Sequence, residues 1–470
     1  MVAGDKQAAV KAPDQFFRDT YECDEENVMK TEHLQVDAIV VGSGPGGATV
    51  AKELAQRKKR VLILEWGSGA PIRGSKWQFL SMAGTPGKSL LFTDKQLALV
   101  RGITTGGSSI FYYATAFDPP LEMLKSHGLD ISAEVEEAKS ELPIAPLSDE
   151  LLGPMAKRIM TSARDLGYDW NKLPKFVYQE KCRTDCWKCN YGCPYGAKWN
   201  ARMFIENAIG NGAVLVNGAR VKKVIVESKR ATGVEYTRNG ATQKAFAPLV
   251  IVSAGGVGSP VILRESGIEA AGYDFFFDPL ITAMGTVKDL KGGKEFPMAA
   301  GVHMEDEGYL MTDMTVPALL HGIFAAGGFR LDKLFSHSRT LSIMIKAKDD
   351  LAGRVTDGGG VRKSLTKRDV QKLMKGYERA KEILKNAGAK DTYRSGYVAS
   401  HPGGTVKVGD LLDSNLKTEY DNLYVCDCTV IPEAWGLPPT LTLIGLGKRL
   451  AKHLAGEETR SAEACEVAAG

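Results

Sequence analysis

The chain has 470 residues, 44% apolar and 25% charged, enough to bury a large core and unlike a disordered composition. A net charge of +4, with no basic stripe interleaved with aromatics, argues against a nucleic-acid partner. The most apolar stretch, Leu249 to Leu263, is broken by glycines and Pro260, so no transmembrane segment is expected.

In chain order, residues 1–35 are polar and aperiodic and read as a tail; Met1 to Asp14 lacks the apolar centre of a signal peptide. Val36 to Val41 is a β-branched run of the kind found in a buried parallel strand, and Gly42-Ser43-Gly44-Pro45-Gly46-Gly47 follows it. A helical stretch from Ala48 to Arg57 and a second strand, Arg60 to Leu64, ending at Glu65, complete a βαβ unit. A helix is predicted over Leu151 to Leu166 and a loop over 181–200. Strands return at Ala213 to Val216, Val221 to Glu227 and Leu249 to Ser253. The alternation from Ala299 to Lys348 predicts antiparallel sheet. Leu365 to Ala387 reads as an amphipathic helix opened by Thr366 and closed before Gly388, and Leu423 to Leu454 reads strand, loop, helix. Residues 456–470 read as a second tail, and no internal repeat is visible.

G-x-G-x-x-G is weak alone, but here a strand precedes it, a helix follows, and an acid ends the next strand. Gly42 allows the tight turn, Gly44 lets backbone approach a pyrophosphate, and Gly47 lets helix and strand pack closely. The helix N-terminus offers N–H groups to phosphates, and Glu65 would accept ribose hydroxyls.

Four cysteines fall within twelve residues: Cys182, Cys186, Cys189 and Cys193, the last followed by Pro194. C-x3-C-x2-C-x3-C-P shares its last two gaps and its proline with the bacterial ferredoxin run that ligates iron–sulfur clusters. Three readings stand: a 4Fe–4S (or three-iron) cluster, a structural zinc, or thiols without metal. The other cysteines, Cys23, Cys426, Cys428 and Cys465, are scattered, which suits a reducing compartment, and the expected location is cytoplasmic.

Gly42 to Glu65, then Arg101-Gly102-Ile103-Thr104-Thr105-Gly106-Gly107-Ser108-Ser109, Ser253 to Pro260 with Glu265-Ser266-Gly267-Ile268, His401-Pro402-Gly403-Gly404-Thr405 and Asn422 to Asp427 come in one order. They resemble the cofactor-binding and signature segments of the glucose–methanol–choline (GMC) flavoprotein oxidoreductases, over residues 36–455. The resemblance implies FAD and an α/β fold like that of p-hydroxybenzoate hydroxylase. A doubly wound, Rossmann-like FAD domain would be assembled from 36–115, 205–268 and 395–455. A helical segment, 116–204, would carry the cysteine loop at 182–194, and 269–394 would be an interleaved α+β substrate domain of antiparallel sheet. By match, Gly106, Gly107 and Ser108 lie near the isoalloxazine or pyrophosphate, Ala254 and Gly255 near the adenine half, and Asp427 near the pyrophosphate and ribityl chain. Pro439 and Thr440 join the cofactor-binding set. His401 is the candidate base for an alcohol proton while hydride passes to the flavin, a task an imidazole suits. Some dehydrogenases of the family resemble this chain in a Cys193-Pro194-Tyr195-Gly196-Ala197 segment within a loop that holds an iron–sulfur cluster.

Two positions depart from the family pattern. Pro438 stands where a second polar residue usually faces the flavin, and Tyr112 stands where asparagine is usual. Proline offers neither a side-chain hydrogen bond nor an N–H, so Thr440, Tyr112 or Tyr113 would have to complete the grip on an alcohol oxygen. The leading expectation is a dehydrogenase of an alcohol or hydroxylated apolar small molecule, passing electrons through the cluster to a protein or quinone acceptor. The alternative is a reductase or isomerase of an unsaturated apolar substrate. A non-catalytic electron-transfer or redox-sensing subunit ranks last, because the pocket motifs are intact.

Overall fold

β1 (Ala38–Val41) and the glycine turn after it set the frame of a computed structural model that describes residues 35–95 and 97–457. The predicted tails, with Cys23 and Cys465, lie outside the described residues except for Gln35, Gly456 and Glu457. α1 (Pro45–Gln56) opens with a proline, whose missing N–H is no loss in a first turn, and β2 (Val61–Glu65) follows. α2 (Pro154–Asp165) lies within the helix expected at 151–166. β3 (Val214–Asn217), β4 (Val250–Val252), α3 (Gly255–Glu265), β5 (Pro279–Thr286), β6 (Ala300–Met304) and β7 (Tyr309–Asp313) come next. Then follow α4 (Ala318–Gly327), β8 (Thr340–Ala347), α5 (Lys367–Asn386), β9 (Leu423–Val425) and α6 (Thr440–Ala455).

Five strands form a parallel sheet in the order β9-β4-β1-β2-β3. Every residue of β1, β2 and β4 is buried, as expected of apolar strands covered on both faces. Val41 pairs with Val252 and Val252 with Val425, so Gly42, Ser253 and Cys426 emerge side by side at the carboxyl ends, where open α/β sheets bind ligands. The FAD-binding fold expected from the sequence is the one observed.

The second sheet has nine strands, with β5, β8, β7 and β6 adjacent and antiparallel. One face, with Ile281, Tyr309, Met311, Leu341, Ile343 and Ile345, packs on Leu373, Ala380, Ile383 and Leu384 of α5 and on Met155 and Ile159 of α2. The other face presents Leu280, Leu310 and Met344 to Leu437, with Trp435 and Tyr113 packed alongside. The antiparallel sheet expected in several runs over Ala299 to Lys348 is present as β6, β7 and β8, but α4 stands between β7 and β8. Its sequence is apolar on all sides, and Pro317 immediately before it suits a helix start better than a strand.

Candidate active site

Gly42 and Gly47 are packing glycines: a Cβ at Gly42 would run into the Ser253 carbonyl, and one at Gly47 would lie 2.8 Å from Ser253 Cβ. Gly44 differs, because a Cβ there would meet nothing within 4 Å. The space sits at the N-terminus of α1, which suits an anionic pyrophosphate. Gly107 faces the same place, its Cβ position 3.2 Å from Gly44 Cα. Ser43 joins the two turns: its Oγ accepts the Gly106 N–H at 3.0 Å and donates to Glu65 Oε2 at 2.6 Å. Glu65 also accepts the N–H groups of Ser43 (3.1 Å) and Gly67 (2.6 Å), and burial raises its pKa. The predicted ribose acceptor is therefore also a brace for the turn. Ser108, which is exposed, accepts the Gly102 N–H at 3.0 Å.

Asp427 plays a comparable part at α3. It accepts the Gly255 N–H at 2.8 Å, the Ser259 hydroxyl at 2.5 Å and the Thr429 N–H at 2.8 Å, while burial raises its pKa. A Cβ on Gly255 would also meet nothing within 4 Å, and Ala254 caps α3 beside it. The residues present thus leave open ground where a dinucleotide would lie, and FAD fits them.

The segment bearing His401 lies on the same ground. Gly256 abuts the Pro402 carbonyl, and Thr405 Oγ1 donates to Gly256 O at 3.1 Å. His401 takes a left-handed backbone (φ +46°), and its side chain is 29% exposed. Its Nδ1 is 3.1 Å from Asp278 Oδ2 and 3.2 Å from Lys346 Nζ, and Lys346 donates to Asp278 Oδ2 at 3.2 Å. Asp278 and Lys346 are buried, and Asp278 Oδ1 has no hydrogen-bond partner among the described residues. Burial lowers the His401 pKa, the Lys346 charge lowers it further, and Asp278 opposes both. Burial likewise lowers Lys346.

Sequence reading missed this pair. Lys346 sits opposite Leu280 on the apolar face of β5 and β8, and a lone lysine in Thr340–Ala347 was the available signal. Asp278 carried no signal, because only folding sets it beside His401. Of the groups expected to complete the grip, Tyr112 donates its hydroxyl to the Trp199 carbonyl at 2.8 Å. Pro439 caps α6 and Thr440 begins it, both buried, with Trp435 and Phe276 rings 6.3 Å apart nearby.

The cysteine loop reaches this ground through Lys198. Its buried ammonium donates to the carbonyls of Cys189 (2.8 Å), Ile110 (2.8 Å) and Tyr112 (2.9 Å), and burial lowers its pKa to about 8. Cys189 and Cys193 are buried, and Cys182 and Cys186 are half-buried. Yet among the described residues no three His, Cys, Asp or Glu side chains converge into a metal-holding group. Burial, with the neighbouring cysteines adding to it, raises the pKa of Cys182 to about 11 and raises Cys186 and Cys189 as well.

Room for a pyrophosphate at Gly44, with His401, Asp278 and Lys346 gathered beside the Gly255–Gly256 turn, is an arrangement that suits a dinucleotide-dependent enzyme. Residues 36–281 match the N-terminal model of the GMC oxidoreductases and residues 360–447 match the C-terminal one, and the chain belongs to that family. It is 28% identical to an uncharacterized protein of Methanocaldococcus jannaschii, over 89% of this chain and 99% of that one. It is 25% identical to a long-chain-alcohol oxidase of Arabidopsis thaliana, over 89% of this chain and 66% of that enzyme. Among solved structures, pyridoxine 4-oxidase from Mesorbium loti superposes with a TM-score of 0.70 at 14% identity, over 90% of this chain and 100% of that one. That likeness concerns the fold.

Proposed function

We propose that this FAD oxidoreductase is a dehydrogenase that oxidises the CH–OH group of an apolar small molecule, with His401 as the base. The observation carrying this reading is the contact of His401 with both Asp278 and Lys346, next to the Gly255–Gly256 turn. Bound FAD supplies the hydride acceptor. In this reading Nδ1–H is donated to Asp278, which leaves the Nε2 lone pair for the substrate hydroxyl. The hydroxyl proton goes to His401, the carbinol hydrogen leaves with its electron pair, and a carbonyl product remains. Asp278 is the positioning residue that holds the ring and its tautomer, and Lys346 acts through it by donating to Asp278 Oδ2. Leu280, Leu310, Met344 and Leu437 would line the apolar side of the substrate. Gly42, Gly44, Gly47, Gly106, Gly107, Ser108, Ala254, Gly255, Asp427, Pro439 and Thr440 would contact FAD, with Glu65 accepting a ribose hydroxyl. Segments 36–115, 205–268 and 395–455 would make up the FAD-binding part. Anaerobic addition of long-chain and aromatic alcohols should bleach the flavin absorbance. Failure with every CH–OH compound tried would sink the reading.

A finer part of the proposal is that Cys182, Cys186, Cys189 and Cys193 ligate a 4Fe–4S cluster serving a protein or quinone acceptor in the cytoplasm. Spacing supports it, as does the Lys198 link from the loop to Ile110 and Tyr112. Holding a cluster would require the loop to draw its thiols together. Iron and acid-labile sulfide in protein purified without air would support it; zinc alone, or no metal, would remove it.

Pro438 and the committed Tyr112 hydroxyl favour a second reading, reduction or isomerisation of an unsaturated apolar substrate. Reoxidation of chemically reduced enzyme by such a compound, with no reduction by alcohols, would select it.

A further inference from the structure

We infer that the face formed by residues 319–335 docks on an anionic lipid surface. Of thirteen large apolar side chains exposed among the described residues, five fall in this stretch: Leu319 (38%), Ile323 (54%), Phe329 (94%), Leu331 (66%) and Phe335 (96%). α4 is two-sided. Leu320 and Phe324 pack inward against the cluster of Leu310, Met314 and Met344, whereas Leu319 and Ile323 point outward. Lone exposed apolar residues are ordinary, but five gathered in one short stretch of chain mark an interaction surface.

The exposure is held in place. Phe329 has a left-handed backbone (φ +57°), uncommon for a bulky residue. Hydrogen bonds fasten it: Phe329 N–H to Ala326 O at 2.9 Å, Arg330 N–H to Ala325 O at 2.8 Å and Ser336 N–H to Lys333 O at 3.0 Å. The Arg330 guanidinium lies over the Tyr393 ring at 5.0 Å. The phenyl ring is therefore presented to solvent by a fixed turn.

Charge at the border selects the partner. Lys288, Lys291, Lys294 and Arg339 are exposed and make no ion pair among the described residues. They adjoin the Phe335 turn: Gly292 N–H donates to Ser338 O and Val287 N–H to Arg339 O, both at 2.8 Å. A Cβ on Gly293 would lie 2.7 Å from the His337 ring. Asp289 is engaged with Arg158 and the buried Glu295 with the Met155 and Ala156 N–H groups, which leaves exposed Asp185, within electrostatic reach of Glu295, as the acid set against these four cations. Arg330 and Lys333 are matched by Asp332 and Asp391. Exposed aromatic and aliphatic residues beside unmatched cations fit the boundary between acyl chains and anionic headgroups. A two-fold pairing through this face would bring the same four cations together, which disfavours a second copy. No helix among the described residues is long and apolar enough to cross a membrane, so the contact would be peripheral.

The test uses the full chain loaded with FAD, floated with vesicles of phosphatidylcholine alone or mixed with phosphatidylglycerol. Binding should require the mixed vesicles, weaken as salt rises, and fall at least about tenfold when Phe329→Ser and Phe335→Ser are combined. Each of Lys288→Gln, Lys291→Gln and Lys294→Gln should cost about fivefold. Unchanged flavin content and elution volume would show that these surface variants are folded. No vesicle binding, binding indifferent to lipid charge and salt, or a dimer dispersed by the double phenylalanine variant would each overturn the inference; the last would assign the face to a second copy.

Discussion

His401 has two neighbours that pull its proton affinity in opposite directions. Burial and then Lys346 lower its pKa, whereas Asp278 raises it. A base must be neutral to act, so flavin reduction should fall as pH drops through this lowered value, on the acid side of an ordinary histidine. Lys346→Met removes the repelling cation and should move the acid limb to higher pH; Asp278→Asn should move it lower. Stopped-flow reduction across pH reads both, and limbs that stay put would leave the pair a packing role alone. His401→Ala should slow single-turnover reduction by roughly two to four powers of ten with FAD still bound. At Gly44 the open space predicts that Gly44→Val folds but releases flavin, readable from the absorbance ratio of purified protein. Of these residues, His401 and Gly44 were visible in the sequence through their motifs. Asp278 and Lys346 were not, because they lie 123 and 55 positions from His401 and meet it only in the folded chain.

Helix α5 was legible in full. Thr366 accepts the Asp369 N–H at 3.1 Å, and Asp369 accepts the Thr366 N–H at 2.8 Å, a reciprocal cap written in four consecutive residues. Thr366→Ala should cost about 1 kcal/mol in urea unfolding. α4 was misread as strand, since a short apolar run does not declare its period and its inward face is chosen by the sheet beneath it. The cysteine loop is held by an element that its spacing does not reveal. Lys198→Met would leave the buried Ile110 and Cys189 carbonyls and the half-buried Tyr112 carbonyl without this donor, at about 1–3 kcal/mol for each buried one. Lower thermal stability and faster proteolytic cutting between residues 182 and 194 are the expected outcomes. Unaltered protection of the loop would mean that Lys198 is not its anchor.

Across the molecule, the parallel sheet draws its strands from 38–65, 214–252 and 423–425, and the open ground between their turns is shared by all three stretches. A ligand seated there ties distant parts of the chain together, so FAD at a hundred times its Kd should stabilise the fold by about 2.7 kcal/mol. A melting temperature that rises with added FAD would show it; one that stays flat would place the cofactor elsewhere. The βαβ unit, the glycine turn with its closing acid, the family and the capped helix α5 were all legible before folding. Each is written in residues near one another, where backbone sterics and hydrophobic period act locally. Tertiary structure alone decided which buried charges face His401, that Glu65 and Ser43 brace the Gly106 turn, and that Lys198 fastens the cysteine loop. It also decided that α4 turns one face outward. Such contacts join residues far apart in the chain, and only packing determines which side chains share a low-dielectric interior.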